Sequence, residues 1–199
     1  MTTNTELIVL HTTKFGENSV VLHTLSKEYG RRGFLVRGIG RKPMASLFLP
    51  LTILEADITE TSKSRLYTAR NLTSKYPLNG IRSNMFKNTM TLFMSEVLYR
   101  VVKEGGNEQG LYEWCERNIL LLDAMQEDFS NFHIRFLLEF TIALGFSPEA
   151  KDLLPFVGDH YAVVEQFMKL PFADSMLIPL TGPVRNEIAE EILRYIEFH

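Results

Sequence analysis

The chain has one cysteine, Cys115, in 199 residues. No disulfide can close within it, and no cysteine-based zinc cluster can be assembled. Long apolar runs are missing too: none approaches the roughly 20 residues a membrane-spanning helix needs. Ahead of the short apolar run from Leu7 to Leu10 there is no basic stretch, so no secretory signal is read there. These absences predict a soluble, cytoplasmic protein. Catalytic signatures are equally scarce. There is no Gly-x-Ser-x-Gly, no Walker loop, no His-Glu-x-x-His and no dinucleotide fingerprint. The histidines, His11, His23, His133, His160 and His199, are scattered without carboxylates at metal-ligand spacing. The sequence therefore predicts a non-enzymatic protein with no catalytic residue, no cofactor and no metal site. Cys115, beside Trp114 in an apolar helical segment, reads as a buried structural thiol.

What is present is distributed unevenly. Residues 1–79 hold eleven Lys/Arg against six Asp/Glu, and residues 80–199 hold ten against eighteen. The first part is thus +5 and the second −8, which together give the net −3. Such a split points to two units with different partners, the basic one suited to phosphate.

Hydrophobic patterning divides at the same place. Residues 6–13, 19–25, 31–38, 50–58 and 66–72 read as five short strands separated by glycine-containing turns. Five strands with no long helix between them fit an OB-fold barrel; a sandwich and an SH3-like barrel also fit. After Tyr76-Pro77-Leu78-Asn79-Gly80 the period becomes helical. Phe86, Met90, Phe93, Val97 and Val101 form one stripe, and Phe132, Phe136, Phe140 and Leu144 form another. Helices are expected over 108–124, from about residue 130, near 161–169 and from Gly182-Pro183 to the chain end, where no capping glycine follows. The expected organisation is an α+β chain: an OB-fold nucleic-acid-binding domain at 1–79 and an α-helical protein-interaction domain at 80–199.

Two constellations stand out. Lys14, Arg31, Arg32, Arg37, Arg41 and Lys42 form a cationic set on and around the third strand. Arg31, Leu35 and Arg37 share a face by period two, and the loop Gly38-Ile39-Gly40 lets backbone N–H groups approach phosphates. The competing reading is a solvated basic face, and the aromatic residues Phe15, Tyr29, Phe34 and Tyr67 are assigned to packing. In the helical half, Arg135 sits in an apolar segment between Phe132 and Phe136. It reads either as an anion clamp beside an apolar pocket or as a helix residue paired with Glu139 at i,i+4.

The order and spacing of several elements resemble the RecO family of bacterial recombination mediators. They are Ile8-Val9-Leu10-His11, Gly16-Glu17-Asn18-Ser19, Gly30-Arg31, Val36-Arg37-Gly38 with Arg41-Lys42, Leu49-Pro50-Leu51-Thr52, and Arg135-Phe136 followed by Leu144-Gly145-Phe146-Ser147-Pro148. The resemblance implies an N-terminal OB-fold and a helical C-terminal domain. It implies binding and annealing of single-stranded DNA, and work with RecR and the single-strand-binding protein (SSB) in loading RecA. It also implies docking of the acidic, phenylalanine-ending SSB tail, for which Arg135, Phe132 and Phe136 are the candidates. Two departures are visible: many relatives carry a cysteine-rich zinc motif where residues 150–158 have no cysteine, and the chain stops short of the family's usual C-terminal end. The alternative function is a protein adaptor whose barrel binds partner proteins and whose basic face is incidental.

Overall fold

The first strand, β1 (Thr2–Lys14), is longer than the alternation predicts, because its threonine-rich start also finds a partner. Residues 2–8 pair antiparallel with β4 (Ile53–Thr59), and residues 7–14 pair antiparallel with β2 (Ser19–Ser26). A register shift between Val9 and His11 bends the strand, as a bulge does. β3 (Gly30–Arg37) pairs with β2, and β5 (Tyr67–Ser74) pairs with β4. A short parallel pairing of β3 with β5 closes the barrel in the order β1-β2-β3-β5-β4. This is the five-stranded OB arrangement. The structure, a computed structural model, describes residues 1–41, 44–62 and 64–199, with Arg41 described in its backbone alone.

The barrel interior holds Leu7, Val9, Val20, Leu22, Phe34, Val36, Leu54, Ala56, Ile58 and Ala69. Ile8, Val21, Leu25, Leu35 and Ile53 are buried as well, yet lie outside that cluster. The strands are thus apolar on both faces, and the outer face is covered in part by α2 (Met85–Val101), which packs on β1 through its buried residues. Asn84 caps α2 by accepting a hydrogen bond from the Lys87 backbone N–H. The buried residues of α2 include Met94, Val97 and Leu98, whereas Phe86 of the predicted stripe is 65% exposed.

Two further helices tie into the barrel. α1 (Asn79–Arg82) ends at Arg82, whose guanidinium donates to the Pro50 carbonyl (3.0 Å) and to Thr52 Oγ1 (2.9 Å). α3 (Leu111–Ala124) carries Glu116, which shares Lys75 Nζ with Glu6 at 2.8 and 2.9 Å. The chain accordingly divides into compact units Met1–Asp123 and Ala124–His199. The change from strand to helix occurs near residue 79, while the change of compact unit falls at the last residue of α3.

The second unit contains α4 (Phe132–Ala143), α5 (Ala150–Val157), α6 (Tyr161–Lys169), α7 (Phe172–Met176) and α8 (Gly182–Phe198). Phe132, Phe136 and Phe140 are buried with Leu153, Val157, Val164, Phe167, Ile188 and Ile192. α5 and α7 were not predicted; α5 begins two residues beyond Pro148 and contains Pro155. Thr181 caps α8, where Pro183 occupies the first turn without loss of a needed N–H. Among the described residues no helix is long and apolar enough to cross a membrane.

Candidate nucleic-acid interface

Only Phe34 with Tyr67 and Leu35 with Thr68 are paired between β3 and β5. Beyond them the strands part, and a cleft of about 880 Å³ opens at that end of the barrel. Its walls include Arg37 from β3, Arg70 and Asn71 from β5, and Asn18 from the β1–β2 turn. The turn is clamped to the end of β3, since the Asn18 carbonyl accepts from the Gly38 N–H (2.8 Å) and the Ile39 N–H (3.3 Å). Across the sheet from Arg70 stands Asp57. Its carboxylate is already taken by the Asn4 amide (2.9 Å) and the Asn71 amide (2.8 Å), which hold it below the usual carboxylate range. Among the described residues neither Arg37 nor Arg70 has an ion-pair partner. Two guanidinium groups without carboxylate partners beside a cleft can take successive phosphates.

The cationic set is not one patch. Lys14 is exposed at the end of β1 and Arg37 at the end of β3, on the same end of the barrel. Arg41 closes a short 3-10 turn, Ile39–Arg41, and Lys42 lies outside the described residues. Arg31 does share the Arg37 face of β3, but it is 5% exposed: the Tyr99 ring of α2 lies 4.5 Å from its Cζ. The expectation that Arg31 meets solvent is therefore corrected by a helix that covers that end of the strand. Arg32, on the opposite face, is half-buried with Cζ 3.8 Å from the centre of the Tyr67 ring. Tyr67 packs on Tyr29, whose hydroxyl donates to Glu60 (3.0 Å). Arg70 was missed, because nothing in a single strand's pattern says which other strand it will adjoin.

In the helical unit, the expected peptide-binding residues are occupied internally. Phe132 and Phe136 are each 1% exposed. Arg135 donates to Glu139 (2.8 Å) and, through Nη1, to the Phe167 and Leu170 carbonyls at the C-terminus of α6. Those carbonyls lack intrahelical partners, so the arginine joins α4 to α6. A second cleft, of about 480 Å³, is lined by the half-buried Arg185 with Leu177, Ile178 and Pro179. Arg185 Nε donates to Asn131 Oδ1 (2.8 Å), and the Asn131 amide donates to the Ser175, Met176 and Ile178 carbonyls. Cys115 is buried, which pushes its thiol up. Among the described residues no group of three or more His, Cys, Asp or Glu could hold a metal ion.

Comparison with known proteins finds a family model for the strand-rich part of the chain and another for the helices that follow it. The family model described as Recombination protein O N terminal matches residues 1–77, and that described as Recombination protein O C terminal matches residues 82–153. The chain is 32% identical over 148 residues to the DNA repair protein RecO of Phocaeicola vulgatus, a match covering 73% of this chain and 61% of that protein. It is 31% identical to the RecO of Flavobacterium johnsoniae, covering 78% of this chain and 68% of the relative. The RecO of Christiangramia forsetii is 25% identical over 224 residues, covering 100% of this chain and 92% of the relative. The match to the Phocaeicola protein thus spans less than two thirds of that relative's length.

Proposed function

Because the chain belongs to the RecO family of DNA repair and recombination proteins, we propose that it is a recombination mediator whose barrel binds single-stranded DNA in the β3–β5 cleft. The observation that carries this reading is the placement of Arg37 and Arg70 on one cleft, neither ion-paired among the described residues. Phosphates entering the cleft exchange condensed counterions for guanidinium groups, and release of those ions drives binding without regard to sequence. Annealing follows from the same charge: a strand neutralised along its backbone repels its complement less. No bond is made or broken, so no catalytic group is required.

In this reading the protein works with RecR to load RecA on DNA covered by SSB, as its family membership supports. The helical unit receives the SSB tail through a local cation and apolar surface, since its own charge is of the same sign as the tail. The Arg185 cleft sets a half-buried guanidinium beside the exposed Leu177, whereas Arg135 is committed to Glu139 and to α6.

The test is a titration of labelled single-stranded DNA across salt concentrations. The parent protein should lose affinity steeply as salt rises. Arg37→Ala and Arg70→Ala should each weaken binding to all sequences, and each should flatten the log-affinity against log-salt slope by about 0.7. Binding that is indifferent to salt and to both substitutions would support the adaptor instead.

A further inference from the structure

One aromatic ring of the barrel stands largely in solvent. Phe34 is fully buried; Tyr29 and Tyr67 are half-buried and packed edge-on against one another at 5.9 Å. Phe15 is 52% exposed, and among the described residues it takes part in no ring contact. A turn needs no phenylalanine: Gly16, at φ +70°, already supplies the reversal between β1 and β2. Phe15 is held in place nonetheless. Its N–H donates to the Ser19 carbonyl (2.9 Å), and Ser19 stands opposite Arg37 in the ladder. Asn18 and Ser19 line the cleft, so Phe15 is bonded through its backbone to a residue of the cleft wall.

We propose that Phe15 stacks on an unpaired nucleobase of a strand whose phosphates lie against Arg37 and Arg70. The proposal rests on the single-stranded DNA reading above and adds to it a base contact at a stated residue. Charge favours a base over backbone at this position. Glu17, exposed in the same turn, repels phosphate but not the uncharged face of a base. Arg37 and Arg70, further along the cleft wall, attract the phosphates. A strand laid in the cleft with its backbone toward the arginines can turn a base toward the turn. Every base has a π-face, so the contact is tolerant of sequence, and it is open to single strands alone because duplex bases are already stacked. The turn would thereby let the protein distinguish single strands from duplex, which the arginines by themselves cannot do.

The test compares the full chain with its Phe15→Ala and Phe15→Leu variants on two labelled oligonucleotides of equal length, oligo-dT and a fully abasic strand. Phe15 is exposed, so both variants should keep the parent's unfolding midpoint. The expected result is about a tenfold loss of oligo-dT affinity for both variants, with an unchanged salt slope and no loss on the abasic strand. Equal losses on both strands, or no loss on oligo-dT with salt-dependent binding retained, would overturn the stacking role alone. Failure of the parent to bind either strand would overturn the DNA-binding reading with it. Arg37→Ala provides the contrast, since it should weaken both strands alike and flatten the slope.

Discussion

At the residue scale, buried polar groups of the second unit are organised around Asn131 and Arg135. Each uses its side chain to satisfy carbonyls that helix ends leave open. His133 lies between them in sequence, and its environment has a measurable consequence. Burial, reinforced by the nearby Arg185 charge, pushes His133 down to about 4. The folded protein therefore keeps this ring neutral at a pH where the unfolded chain, titrating near 6.5, has taken up a proton. Stability contributed by His133 is fully present above about pH 6.5. It falls progressively toward pH 4 by up to about 3 kcal/mol, since each pH unit of difference is worth about 1.4 kcal/mol. Denaturant unfolding followed from pH 7.5 to 4.5 should show this slope, and His133→Gln should flatten it.

At the element scale, the turn between β2 and β3 is built around a close approach. Gly30 adopts φ +63°, and a Cβ there would collide with the Gly106 carbonyl oxygen. The loop between α2 and α3 extends the end of β3 by two bonds, Arg31 N–H to Gly106 (3.0 Å) and Gly105 N–H to the Arg31 carbonyl (2.8 Å). Gly30→Ala should therefore cost about 3 kcal/mol or more, combining left-handed strain with the clash. Gly16→Ala, at a similar φ but in open space, should cost about 1 kcal/mol. Urea unfolding of the two variants checks the difference. A second joint between elements is ionic. Burial alone would raise the Glu6 carboxyl, but the Lys75 and Lys27 ammonium groups outweigh it and hold it below its ordinary value. Protonating Glu6 in acid thus weakens the contact between β1, β5 and α3.

At the scale of the whole molecule, charge follows the compact units. Residues 1–123 carry sixteen Lys/Arg against twelve Asp/Glu, and residues 124–199 carry five against twelve. A net +4 beside a net −7 keeps the anion-attracting unit distinct from the helical one. The barrel strands also need α2, because Ile8, Val21, Leu25 and Leu35 are buried outside the barrel interior. A fragment of residues 1–123 should fold cooperatively and retain salt-dependent DNA binding. A fragment of residues 1–79 leaves those side chains in water and should aggregate or unfold. Circular dichroism melts and sedimentation of the two fragments decide the point.

By itself, the sequence determined the five strands, the change to helical period near residue 79, the separation of charge and the family. These are local or compositional properties: period two, period 3.6, glycine at turns and the count of charges are all carried along the chain. The cation set was legible, but its partition was not. Arg31 and Arg37 share a strand face, and α2, more than fifty residues later in the chain, covers one and leaves the other exposed. Phe86 headed the apolar stripe of α2 and proved exposed, because the barrel buries a neighbouring face of that helix. Arg70 joined the candidate site only because barrel closure placed β5 beside β3. Burial and adjacency depend on which distant segments meet, and only the tertiary structure decided that.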